Sequence, residues 1–246
     1  IVHVDPRNHE IPDIIASLAD QMNGYLVGGL TSSRGELAQV SGSVCNGGVS
    51  GVLLAENVPV VTALSQSCMP IGSRHEITSC DDNVLIELDG RPALDVFKED
   101  IGDLLTRDLQ RVVGYIFAAL PIAQSDTGDY LVRNLTGIDV ERKLLAIGEI
   151  VETGQSIQFC RRDAQAAEAD MVRMLADLKK RTDTPAKGGV YFTCLARGPN
   201  MFGDASQEMK IIERELGDVP LVGFFCNGEI SHRRLYTYTG VLTLFT

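Results

Sequence analysis

Apolar positions recur along this chain at two spacings, and the two are unevenly distributed. In the first third they come as short β-branched or alternating runs punctuated by glycine, so that residues 1–5, 25–30, 52–55, 58–64 and 84–88 all read as strands. The short link Glu56-Asn57 makes 52–55 and 58–64 a candidate hairpin. Residues 92–109 switch to helical spacing, with Pro92 at a start where a missing N–H is tolerated. Residues 112–123 are continuously apolar and fit a buried strand or a buried helix equally well. Residues 124–129 read as a turn and 130–135 as a strand.

The last ninety residues are more regular. Residues 156–160 read as a strand. From Asp163 onward Ala164, Ala167, Met171, Met174, Leu175 and Leu178 fall on one helical face, and Lys179-Lys180-Arg181 at the far end complements the helix dipole. After a strand over 190–195, Asp204 stands as an N-cap with Gln207 in capping-box position. The buried face expected for that helix is Ala205, Met209, Ile212 and Leu216, and Gly217 stops it. Residues 219–226 and 235–245 complete the strands; Thr237, Thr239 and Thr243 alternate with apolar neighbours, as in a half-exposed antiparallel strand. Strands outnumber helices, and the first third lacks room for a crossover helix between each pair. The expected class is α+β, with mixed, largely antiparallel sheets packed by flanking helices.

The 246 residues suffice for one large domain or two packed ones, and the chain opens on Ile1 inside a strand-like run, which reads as a segment of a longer protein. Lys plus Arg total 22 against 33 acidic residues, a net charge of −11. Without a concentrated basic stripe, nucleic acid is not an expected partner. No apolar run approaches the ~20 residues of a bilayer-spanning helix, so no membrane association is expected either. The six cysteines lie far apart, without zinc spacing, and fit reduced thiols of a cytoplasmic protein. Phosphate-loop, dinucleotide, nucleophile-elbow and HExxH signatures are absent, and no metal or cofactor is expected.

Two loops carry candidate chemistry. In Arg197-Gly198-Pro199-Asn200-Met201-Phe202-Gly203-Asp204, a guanidinium at a strand end precedes a helix N-terminus, an arrangement suited to a carboxylate or phosphate. Against that stands a plain structural use, with Arg197 paired to an internal acid and Asp204 occupying the helix N–H groups. The second loop, Gly223-Phe224-Phe225-Cys226-Asn227-Gly228-Glu229, ends a strand on a lone carboxylate. Glu229 and Arg197 would suit a zwitterion if both faced a ligand, or would form a clasp if they bonded each other. Cys226 with His232 and Asn227 is the corresponding enzyme reading, a cysteine-dependent hydrolase or transferase; a buried packing thiol is the alternative that weighs more.

The runs CLARGPNMFGD and GDVPLVGFFCNGEIS, followed by LYTYTGVLTLF, closely resemble the C-terminal half of the FIST domain (F-box and intracellular signal transduction proteins). YLVRNLTGID and the helix after FCRRD fit the same half, and YLVGGLTSS, CNGGVSGVLL and CMPIG resemble the close of the N-terminal half. The resemblance implies two related halves, residues 1–90 and 91–246, and a sensory module for a small ligand such as an amino acid, with a signalling protein or domain as its output partner. In that reading no residue is catalytic. Arg197, Gly198, Asn200 and Gly203 would take a ligand carboxylate. Gly223, Phe224, Cys226, Asn227, Gly228 and Glu229 would line the facing strand end, with Glu229 on an ammonium. Gly28-Gly29 and Gly47-Gly48 would form the opposite wall. A purely structural, partner-binding domain is the remaining alternative.

Overall fold

The computed structural model describes the chain except residues 9, 23, 103–108, 123–127, 183 and 204–206, and it divides into two compact units. The first joins residues 1–67 to 164–246, and the second is the intervening 68–163.

The chain enters the first unit as β1 (Val2–Val4), α1 (Ile11–Gln21), β2 (Val27–Leu30), β3 (Ala38–Ser41), β4 (Ser43–Asn46), β5 (Val49–Gly51) and β6 (Val60–Gln66). β1 pairs parallel with β2 and antiparallel with β5, while β3 and β4 form a two-stranded sheet of their own. The hairpin expected from 52–55 and 58–64 does not form. Residues 52–55 lie outside strands and β6 pairs instead with the strand Thr239–Phe245, in a sheet where Val61 and Ala63 pack against the helix over 164–180.

The second unit is built from β7 (Cys68–Asp81), β8 (Val84–Leu88), β9 (Arg91–Pro92), α2 (Ala93–Ile101), α3 (Leu109–Val112), β10 (Ile116–Pro121), β11 (Tyr130–Asp139), β12 (Leu144–Ile147) and β13 (Ser156–Arg162). Its seven strands run in the order β12-β11-β10-β13-β7-β8-β9, and the strands pair antiparallel. Phe97 of α2 packs edge-on to Phe159 of β13 at 4.7 Å, in a core that also holds Leu85, Leu94, Ile116, Leu135 and Ile157. Of the apolar run at 112–123, residues 116–121 form β10, whose first four residues are buried, while Val112 ends α3 and residue 123 lies outside the described residues. The expected turn at 124–129 lies, apart from its last two residues, outside the described residues.

The chain then returns to the first unit with α4 (Ala164–Lys180), β14 (Gly188–Cys194), α5 (Pro199–Phe202), α6 (Gln207–Leu216), β15 (Leu221–Cys226), β16 (Glu229–Ser231), β17 (Arg234–Tyr236) and β18 (Thr239–Phe245). β16 and β17 complete the order β17-β16-β2-β1-β5, and a second sheet runs β15-β14-β18-β6. Only β1–β2 and β14–β15 pair in parallel among the described strands. α4 buries Ala167, Met171, Met174, Leu175 and Leu178 of the stripe read from its sequence over Tyr191, Leu242 and Leu244, while Ala164, at its first turn, is exposed. Residues 235–245, expected as one strand, are two: Tyr238 at φ 61° breaks the run. β18 is also not half-exposed. β14 and β6 take its two edges, while Leu242 and Leu244 pack under α4 on one face and Val241 packs with Val27 and Cys226 on the other, and the Thr243 hydroxyl finds Thr62 Oγ1 at 2.8 Å.

Candidate ligand pocket

β14, the stretch over 195–203, α6 and β15 form one parallel crossover unit. In such units the loops leave the carboxyl ends of neighbouring strands and open a crevice there. Here a hollow of about 490 Å³ runs from the loop after β14 along β15, beneath α6. Its floor is Tyr191 and Thr193 of β14 with Glu208 of α6. One wall is the whole of Leu221–Phe225, and the other is Gly198, Pro199, Gly203, Gln207 and Met209. A second hollow, between α4 and α6, is lined by the exposed charged side chains of Glu168, Lys210 and Arg214; Arg214 already pairs with Glu168 and Glu215.

The floor is a buried polar network centred on Glu208. Its Oε1 accepts from Tyr191 Oη at 2.7 Å, Arg197 Nε at 2.9 Å and Thr193 Oγ1 at 3.1 Å; its Oε2 accepts from the Gly198 N–H at 3.2 Å and from Thr193 Oγ1 at 3.4 Å. Arg197 is 0% exposed. Besides Glu208 it donates to Ser67 Oγ, lies 3.8 Å from Met171 Sδ and stacks 5.2 Å from the Phe202 ring centroid. Burial pushes the Tyr191 hydroxyl pKa well above its usual value, so it stays a donor to Glu208.

This network revises the sequence reading of α6. Its buried residues are Glu208, Ile211 and Ile212, while Met209 is 38% exposed and Leu216 only half-buried. A guanidinium sealed in the core requires a carboxylate, and Glu208 turns inward to supply it. Asp204 and Ala205, expected as cap and core, lie outside the described residues. Arg197 pairs with an internal acid, and it lies behind the pocket wall, not on it.

Glu229 is likewise 0% exposed and does not line the hollow. Its Oε2 accepts from Thr239 N at 3.2 Å and Thr239 Oγ1 at 2.8 Å, while Oε1 has no nitrogen or oxygen partner. Burial, only partly offset by Thr239, Arg197 and Cys194, raises its pKa to about 8. No salt bridge joins Glu229 to Arg197 among the described residues and neither lines the hollow, so of the two alternatives weighed for the pair the clasp does not form, and Arg197 pairs with Glu208 instead. Cys226 is buried, and Cys194 is its in-register neighbour. Burial and then the Glu229 charge raise both thiols, Cys194 to about 12, which is the opposite of an activated thiolate.

Of the residues read from sequence, the hollow gathers Gly198, Gly203, Gly223 and Phe224. Gly198 takes φ 56° and a Cβ there would stand 2.7 Å from the Phe225 ring, so both the backbone and the packing require glycine. Asn200 is exposed and donates to the Leu195 carbonyl at 3.2 Å. Asn227 N–H and Gly228 C=O bond the Leu30 backbone at 3.0 and 2.9 Å. Gly29 belongs to β2, where a Cβ would run into Cys226 Sγ. Gly28 lies in the parallel pairing with Val2, and Gly47-Gly48 form the turn into β5 with the Gly48 carbonyl accepting from Asp5 N–H at 3.1 Å. None of these lines the hollow. Sequence reasoning missed Tyr191, Thr193, Glu208 and Phe225. The one signal that could have flagged them is the pair of apolar strands at 190–195 and 219–226 flanking a helix, the signature of a parallel unit with a crevice at its strand ends.

The FIST N domain matches residues 1–91 and the FIST C domain residues 93–232. An uncharacterized protein of Mycobacterium tuberculosis is 38% identical over 215 residues, which is 82% of this chain and 55% of the relative; one of Mycobacterium bovis is 36% identical over 213 residues, 82% of this chain and 54% of the relative. This chain therefore spans about half the length of those relatives. An F-box/LRR-repeat protein of Arabidopsis thaliana is 31% identical over 94 residues, 37% of this chain and 18% of that protein. Together the two matches cover most of residues 1–232, and the chain belongs to the FIST family, whose domains are associated with signal transduction.

Proposed function

We propose that this chain is a small-ligand-binding sensory module of intracellular signal transduction, and that its ligand occupies the hollow between β15 and α6. The observation that carries the reading is the chemistry of that hollow. Apolar walls from Leu221, Val222, Phe225 and Met209 stand over a polar floor already held rigid by its own bonds, which is the composition of small-molecule sites. Glu208 Oε2 accepts fewer bonds than Oε1 and has acceptor capacity left for a donor such as an ammonium. An amino acid with a large apolar side chain fits, its amine on Glu208 and its side chain against Phe225 and Met209. The carboxylate role first assigned to Arg197 is not retained, since that guanidinium is enclosed.

A thermal-shift screen of the full chain against amino acids and their amine and amide analogues tests this. A ligand at ~100 times its dissociation constant adds about 2.7 kcal/mol of stability. Compounds with an amine and an apolar body are expected to raise the melting temperature, and Met209→Glu to abolish the rise. A flat screen, or an unchanged rise in Met209→Glu, removes the assignment.

A further inference from the structure

β15 is the outer strand of its sheet, and its hydrogen bonds show which backbone groups remain open. The Pro220 and Cys226 carbonyls face β14, accepting from Gly189 and Leu195 N–H at 2.9 Å each. Since successive residues of a parallel strand turn their backbone groups to alternate sides, Val222 and Phe224 face β14 as well, while Leu221, Gly223 and Phe225 turn N–H and C=O outward. The Phe225 carbonyl is taken by the Ser32 hydroxyl. Among the described residues, the outward N–H and C=O of Leu221 and Gly223 and the N–H of Phe225 have no backbone partner strand.

Exposed edges are usually blunted by charge, proline or a bulge. Leu221–Phe225 carries none of these. Val222 is 70% exposed, and Gly223 has no side chain to cover the backbone. The same five residues form a wall of the hollow, with Gln207 and Met209 of α6 opposite. An edge strand facing a helix across an apolar crevice suits an added strand, which takes the main-chain bonds while its side chains enter the crevice.

We propose that the ligand class is a short extended peptide with apolar side chains, three residues long, that adds to β15 in parallel. The inference rests on the reading of this hollow as the ligand pocket. In a parallel register the first peptide residue donates to the Leu221 carbonyl and accepts from Gly223 N–H; the third donates to the Gly223 carbonyl and accepts from Phe225 N–H. The second residue turns its backbone away. Three residues thus complete four bonds, and the Ser32 bond to the next carbonyl ends the ladder there. The length agrees, since three residues span roughly 10 Å and the five of the edge roughly 16 Å.

The test is calorimetric titration of the full chain with acetyl-Val-Ala-Leu-amide, with the three analogues N-methylated at one residue each, and with free leucine. Methylation at the first or third residue is expected to weaken binding at least tenfold, and methylation at the second to leave it within about twofold. Equal sensitivity at all three positions overturns the inference. So does leucine binding as tightly as the parent peptide, an outcome that leaves the pocket reading standing. Absence of binding by every one of these compounds overturns both.

Discussion

Two buried glutamates of the same unit, 21 positions apart in the chain, show opposite solutions to the same physical problem. Glu208 is surrounded by donors: a guanidinium, two hydroxyls and a backbone N–H converge on its two oxygens. Glu229 has donors from Thr239 on one oxygen and none from nitrogen or oxygen on the other. Desolvation of an ionised carboxylate costs several kcal/mol, and only the first site sets a cation and donors on both oxygens against it. Burial alone thus says little about whether a carboxylate is charged; the donors around it decide. The sheltered ion pair builds a rigid pocket floor, whereas the half-satisfied acid is a group whose protonation responds to conditions.

The largest effect is expected at the satisfied site. Glu208→Ala leaves Arg197 buried without its carboxylate and should destabilise the unit by about 3–5 kcal/mol in urea unfolding. The pair Glu208→Leu with Arg197→Met, which removes both charges, should recover most of that loss. If the single and double variants are equally unstable, packing and not charge compensation holds the floor.

Glu229 should set the next largest effect, through pH. Its folded-state pKa, about 8, lies above the ordinary 4.5, so the folded state holds the proton more tightly than the unfolded state. The stabilisation is therefore complete below about pH 4.5 and is lost as pH rises toward 8. Glu229→Gln should flatten that window and, at pH 8, exceed the wild type by on the order of 1–3 kcal/mol. A wild-type profile that climbs between pH 5 and 8, or a variant that keeps the original slope, contradicts the contrast between the two acids.

A third arrangement, in the other unit, sharpens the same point on a smaller scale. His75 Nδ1 meets Asp89 Oδ2 at 2.6 Å and its Nε2 meets Asp100 Oδ2 at 2.9 Å, so both ring nitrogens face carboxylates and the imidazolium is the form that suits them. Burial lowers its pKa, but the two carboxylate bonds outweigh burial and leave it above 6.5. The clasp contributes most below pH 6.5 and weakens as pH rises through the raised value. Asp100→Asn should reduce the pH dependence of amide exchange across β7 and α2 by at most about 1 kcal/mol, given that Asp89 is solvent-accessible. The smallest effect belongs to the pocket rim: Met209→Glu should change stability by no more than about 0.5 kcal/mol in the same urea assay, since that side chain is already partly in water.

Much of the architecture was legible because periodicity records burial directly. The stripe of α4 and the strands at 84–88, 130–135 and 156–160 appear where the apolar spacing puts them. Glu208 was hidden because a charged residue at a helical position reads as solvent-facing unless its partner is known, and nothing in the spacing ranks Glu208 above Glu229 as the partner of Arg197. The break at Tyr238 was equally silent: it depends on one residue adopting positive φ, which a run of Thr and Tyr does not announce. β6 was assigned to a local hairpin because sequence proximity is the default, while its actual partner lies at the far end of the chain. The pocket residues follow from that kind of long-range pairing, so they emerge only once β14 and β15 are seen side by side.

The pairing of β6 with β18 has a bearing on how the protein is made. Val60 meets Phe245, and translation of the residues between them takes roughly 10–40 s at ordinary elongation rates of ~5–20 residues per second. The intervening unit, 68–163, is contiguous and can close while the ribosome is still working. Through that interval β6 waits without its neighbour, an apolar strand with open edges, and nascent chains of this protein should depend on a chaperone until β18 emerges.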